Sequence, residues 1–205
     1  MRTLPDPHVL AFLLVDTVLL LVLYGRLLAA LRGARACLRS TYSTMELLGN
    51  TYLCSSVNLM SLLLLPVFAA TLSATHLSKP GYFWTVQALI VLVIWRKLVY
   101  LLMGWLTSRK TVFHNAETIS RAIGIAMVAG ALPAFLAGWV EPDLPSWVLW
   151  GWIALAVVVC GGVYVFRVSA LFLHAGFSIF FRVLYLCGLE ILPVCVVANY
   201  LIHGN

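Results

Sequence analysis

Arg96 and Lys97 stand side by side within LVIWRKLVYLL, a run otherwise built from Leu, Val, Ile, Trp and Tyr. Two acids sit in comparably apolar surroundings, Asp16 in the first apolar run and Glu190 within YLCGLEILP. A charge at mid-bilayer costs roughly 2.5–3.5 kcal/mol on insertion scales, so such groups mark either a neutralised structural cluster or a path for protons, ions or a charged ligand. Both chemistries need the cations matched by anions. Asp16, Arg96, Lys97 and Glu190 are therefore expected to converge as an intramembrane charge cluster. Consecutive helical residues point ~100° apart, so the two cations address different neighbours, and which acid meets which cation stays open.

The remaining polar residues carry less. Arg182 precedes Glu190 by ~12 Å of helix and either lines a polar cavity or reaches lipid phosphates. Pro193 breaks or kinks the last apolar run, freeing carbonyls beside Glu190. Asn58, Ser61 and Gln87 are of the kind that hydrogen-bond between helices. The five histidines do not pair at matched depth, and the five cysteines are odd in number with no C-x-x-C. No nucleophile elbow, zincin, P-loop or dinucleotide fingerprint occurs. No catalytic residue, metal or cofactor is expected, and a membrane enzyme built on His114, Glu117 and His174 is only a third reading.

These residues must be positioned by elements that live in lipid. The chain has 205 residues, 63% hydrophobic and 10% charged, against roughly 25% charged in a soluble domain. Apolar runs of about 20 residues match a ~30 Å hydrocarbon layer. The expected fold is all-α: a polytopic transmembrane bundle of about six spans forming one domain over residues 1–205. The spans are Val9–Leu28, Leu53–Ala74, Phe83–Leu106, Ile119–Val140, Trp147–Phe166 and Gly176–Ile202. Turn chemistry at Ser78-Lys79-Pro80-Gly81 and at Glu141-Pro142-Asp143-Leu144-Pro145 separates several of them. The first span, which holds Asp16 and lacks an A-x-A site, reads as a retained anchor.

Charge sets the topology. Arg26, Arg32, Arg35, Arg39, Arg109, Lys110, Arg121 and Arg167 fall on one side, Arg2 and Lys79 on the other. By the positive-inside rule the first set faces the cytoplasm and both termini are non-cytoplasmic. The net charge of +6 then reflects insertion and contact with anionic headgroups at the cytoplasmic loops; no nucleic-acid partner is needed. In the fourth span Ala122, Ala126, Gly130, Ala134 and Gly138 recur every fourth residue, a small-residue stripe for close helix packing. Its partner is a helix of this chain, with Gly161 and Gly162 as candidates, or a second copy.

The segment FRVLYLCGLEILPVCVVANYL, with Tyr185, Leu186, Cys187, Glu190, Ile191, Leu192 and Pro193, resembles the C-terminal signature of a bacterial integral-membrane family of Bacteroidetes type, domain of unknown function 4271. The resemblance implies a bacterial inner-membrane protein of about six helices and implies no activity; Glu190 and Lys97 are family-like positions without roles, and Arg96 beside Lys97 is not presumed to be shared. The leading expectation is a non-enzymatic structural or assembly component of the envelope, working with a membrane-protein partner or as a homo-oligomer. The alternative is a proton- or ion-coupled permease subunit with Glu190 as the titrating carboxyl.

Overall fold

The computed structural model describes the backbone of residues 7–74, 81–140 and 146–203, and the side chains of 11, 14–69, 83–134, 137, 147–149, 151–197 and 199–200. Among these residues every element is helical: α1 Pro7–Val22, α2 Tyr24–Arg39, α3 Thr41–Gly49, α4 Thr51–Ala74, α5 Gly81–Leu106, α6 Lys110–Val140, α7 Ser146–His174, α8 Ile179–Leu184, a π-helix Tyr185–Ile191, and α9 Leu192–His203. The turns expected around Lys79 and Pro142 lie outside the described residues, as do the surroundings of Gly138.

Four segments among the described residues are long and apolar enough to cross a membrane: Thr51–Ala69, Phe83–Leu106, Trp147–His174 and Ile179–Val197. A bent pair, Leu14–Val22 with Tyr24–Arg39, makes up to five. The chain thus has the pattern of a multi-pass membrane protein, with four or five candidate spans where the sequence reading expected six. α6, 31 residues long, is not among them; Glu117 and Arg121 occupy its first half, inside the helix rather than in a loop.

The first expected span is corrected. The helix ends at Val22, and α2 leaves at 84°. Hydrophobicity drops where Arg26 begins a stretch of four arginines, charges that are costly to carry straight through an apolar layer. α2 packs through a face of Ala29, Ala30, Gly33, Ala34 and Cys37 against α4 and α6. A Cβ at Gly33 would sit 2.8 Å from Val57 Cγ2, so only glycine permits that approach. Arg32, Arg35 and Arg39 remain exposed on the opposite face.

Local chemistry sets the joints. Ser40 Oγ accepts from the Ser43 amide at 3.1 Å, Asn50 Oδ1 from the Tyr52 and Leu53 amides, and Ser178 Oγ from Phe181 N; each satisfies amides that a helix start leaves unpaired. α7, which ends at His174, is closed off by Gly176, φ +76°, where Phe177 N bonds to Phe172 O and Gly176 N to Leu173 O, both at 3.0 Å. That is a Schellman closure, in which glycine takes the left-handed position.

The core concentrates at the end of the bundle that holds the α5–α6 turn. Phe113, Phe172 and Tyr185 pack ring to ring, with centroids 5.1–5.7 Å apart. Beside them Arg167, 9% exposed, donates to the Cys37 carbonyl at 3.1 Å and to Thr41 Oγ1, tying α7 to α2 and α3. Elsewhere the helices turn large apolar side chains outward, among them Leu101, Val158 and Phe180, as surfaces that meet lipid must.

Candidate functional site

Arg96 and Tyr100 are four residues apart on α5 and so share a face. Against that face stand Tyr164 of α7 and the π-helix. Arg96 Nη2 donates to Glu190 Oε2, and Tyr185 Oη donates to Glu190 Oε1 at 3.0 Å. The Tyr100 and Tyr164 hydroxyls are 3.1 Å apart, and the Arg96 guanidinium lies 5.5 Å from the Tyr164 ring centroid. Glu190 is 3% exposed. Its two oxygens are each met by a donor, and π-electron density backs the cation, an arrangement suited to a buried charge pair.

The π-helix explains how Tyr185 and Glu190 meet. Residues five apart on an α-helix diverge by ~140° at ~100° per residue; i→i+5 bonding, here Leu192 N to Cys187 O, brings them toward one side. Pro193 follows directly. It offers no amide hydrogen and crowds the carbonyl one turn back, so the widened segment lies where α-helical bonding is already broken.

The expected four-charge cluster is not what forms. Arg96 takes Glu190. Lys97, the next residue, is exposed and makes no ion pair among the described residues. Asp16 is buried, 7% exposed, on a helix that packs against α4 and α2; its Oδ2 has no hydrogen-bond partner and neither cation reaches it. The physical reason is placement: α1 lies against α4 and α2, whereas the Arg96 face of α5 is turned to the π-helix and α9. Arg182 is half-buried with its Nε unpartnered.

A cavity of about 180 Å³ lies between α4, α5 and α6. Neither Arg182 nor Pro193 lines it, and neither does Glu190. Its polar end holds Ser61, Arg96, Lys97, Glu117, Ser120 and Arg121. Arg121 pairs with Glu117 one turn earlier and donates to the Asn58 carbonyl at 3.5 Å. The sequence alone does not pair Glu117 with Arg121, and it brings forward Tyr185 only as a position of the C-terminal resemblance and Tyr100 and Tyr164 not at all. Tyr100 carried a detectable hint, standing one helical turn from Arg96.

The small-residue stripe meets α7, though not at Gly161 or Gly162, where an added Cβ would find nothing within 4 Å. Ala122 and Ala134 are buried, a Cβ at Gly130 would lie 3.5 Å from Ala156 Cβ, and Trp152 Nε1 donates to Gly130 O at 2.8 Å. α7 therefore approaches through Trp152, Ile153 and Ala156, nearer its start than the glycine pair. Of the third reading's residues, Glu117 is held by Arg121 and His174 Nδ1 bonds to the Ala170 carbonyl at 2.7 Å.

The helices and the buried pair define the class, a multi-pass helical membrane protein with an ion pair inside it. Comparison of the chain with protein-family models, curated proteins and solved structures finds no match.

Proposed function

We propose that this chain is a non-enzymatic structural or assembly component of a bacterial inner membrane, a six-span bundle whose buried charges hold its last helical segment in register. The observation that carries the reading is the sealing of Glu190: both oxygens are bonded, the residue is 3% exposed, and the cavity does not reach it. A proton- or ion-coupled carboxylate needs a route to water; this one is enclosed by Arg96 and tyrosine.

The sixth span is α6, and both termini lie outside the cytoplasm. What supports this topology is that the basic residues gather at one end of the bundle. Arg109 stacks 5.0 Å from the Phe177 ring centroid, and Arg167 joins the end of α2. The exposed Arg32, Arg35 and Arg39 then face anionic headgroups. The resemblance of the C-terminal segment to domain of unknown function 4271 supports the bacterial inner membrane, and the exposed apolar faces of α5 and α7 leave surface for a membrane-protein partner or a second copy.

The test is the folded, membrane-inserted amount of Arg96→Met, Glu190→Leu and the double variant. Removing one partner of a buried pair strands the other charge at a cost of roughly 3–5 kcal/mol, whereas replacing both with apolar residues is often neutral. Each single is expected to lose most folded protein and the double to regain it. Singles that fold fully and yet abolish a growth phenotype tied to the gene would overturn the structural reading in favour of ion or proton coupling.

A further inference from the structure

The cavity between α4, α5 and α6 has a direction. On α4 its wall runs from Ser61 to Leu65 and Phe68; on α6 from Glu117 and Arg121 to Ile125 and Val128; on α5, which runs the opposite way, from Lys97 and Arg96 back to Leu92 and Leu89. All three helices change from polar to apolar along the same axis. The polar ends stand at one depth, since Arg121 touches Asn58 and Arg96 and Arg121 each lie ~15 Å of helix from the α5–α6 turn.

The polar end is also unbalanced. Its lining holds the cations Arg96, Lys97 and Arg121 against the single carboxylate Glu117. Counting Glu190 behind Arg96 leaves one positive charge over, and among the described residues the lining cation without an acid is Lys97. The Arg96 Nε is buried with no hydrogen-bond partner. An isolated cation at this depth is costly, so a bound anion there gains what the protein lacks. The opposite end is built of Leu, Phe and Val, which offer an anion nothing and an alkyl chain a close fit.

We propose that this cavity is a binding site for the head and first carbons of an anionic amphiphile, its carboxylate or phosphate between Lys97 and Arg121 and the adjoining part of one acyl chain along Leu65, Phe68 and Leu89, with the rest of the tail outside the cavity of about 180 Å³ in the bilayer. Lys97 both lines the cavity and is exposed, so the site reaches the bundle surface at the cation that receives the head. Gly124 forms part of the wall, and an added Cβ there meets nothing within 4 Å. A Cβ at that position enters open space in the cavity wall, so a larger side chain there is directed into the volume the acyl chain would fill.

The experiment titrates radiolabelled oleate into full-length protein held in nanodiscs of zwitterionic phosphatidylcholine, with empty discs subtracted. Wild type is expected to retain about one saturable oleate per chain, the number of sites the cavity provides. Gly124→Leu, with thermal stability no lower than wild type, is expected to lose it, and Lys97→Gln to weaken it about tenfold, as loss of one charge-assisted contact does. Oleylamine, with the same tail and the opposite charge, is expected to show no saturable site. Adding phosphatidylglycerol separates the sources: displacement of oleate identifies a bilayer phospholipid as the natural occupant, and no displacement identifies a free single-chain acid. Absence of saturable binding in wild type, equal binding by Gly124→Leu, or equal retention of oleylamine would each overturn the site. If Gly124→Leu fails to fold, the comparison of oleate with oleylamine on wild type and on Lys97→Gln decides alone.

Discussion

At the residue scale the governing fact is that Glu190 is saturated. Arg96 meets one oxygen and Tyr185 the other. Tyr185→Phe keeps the ring packed against Phe113 and Phe172 but leaves a buried carboxylate oxygen unbonded. The expected loss is roughly 1–3 kcal/mol, read as an earlier thermal transition in detergent. Tyr100→Phe removes a hydroxyl that contacts Tyr164 at 3.1 Å and lies beside Glu190 but leaves both carboxylate oxygens with their donors, at about 0.5–1.5 kcal/mol, so the two substitutions rank in that order. A reversed ranking would mean that Tyr185 is not the donor to the carboxylate. The sequence revealed that Arg96 and Lys97 needed compensation, because their depth could be counted. It did not reveal that, among the described residues, Arg96 alone of the two is paired with an acid. That depends on the rotation of α5 and on the π-turn that aligns Tyr185 with Glu190, and neither leaves a mark in hydropathy.

At the element scale, glycines that look alike in the sequence have opposite surroundings. Gly33 lies where α2 crosses α4, with Val57 and Leu47 within 3.0 Å of any Cβ. Gly33→Val overpacks this contact and is expected to cost about 1–3 kcal/mol. Gly124 faces open cavity, so Gly124→Ala removes only glycine's entropy penalty and is expected to stabilise by about 0.5–1 kcal/mol. Thermal unfolding of the two variants side by side checks both signs. The stripe on α6 was legible because its period matches a helix face. The matching face on α2, with Gly33 at its centre, was hidden by the arginines interleaved with it. The bend after Val22 was hidden for a related reason. An averaged apolar window blends the end of α1 into the start of α2, while the chain itself responds to the first arginine.

For the whole molecule the decisive question is which end faces the cytoplasm, and the structure offers positions that report it. Thr111 and His174 are exposed near the α5–α6 turn and the α7 end, where the cations cluster; Trp147 is exposed at the opposite end of α7. The background for labelling replaces the exposed Cys187 and Cys195 and the half-buried Cys54 with Ala. Cys37 and Cys160 are buried and remain as internal controls that react only on unfolding. With the basic end in the cytoplasm, a membrane-impermeant maleimide applied to intact cells labels Trp147→Cys and spares Thr111→Cys and His174→Cys until the membrane is permeabilised. The rule behind the expectation counts Lys and Arg near span ends, and here those residues also lie together in space, because Arg109 reaches Phe177 and Arg167 reaches Cys37. Clustering raises the cost of moving that end across a bilayer, since several cations must then cross together. Labelling of Thr111→Cys and His174→Cys from outside, with Trp147→Cys protected, would reverse the topology. The arginine face of α2 would then lie away from the anionic inner leaflet. Labelling at both ends would show two orientations in one population, and the charge difference between the two ends would be too small to fix one.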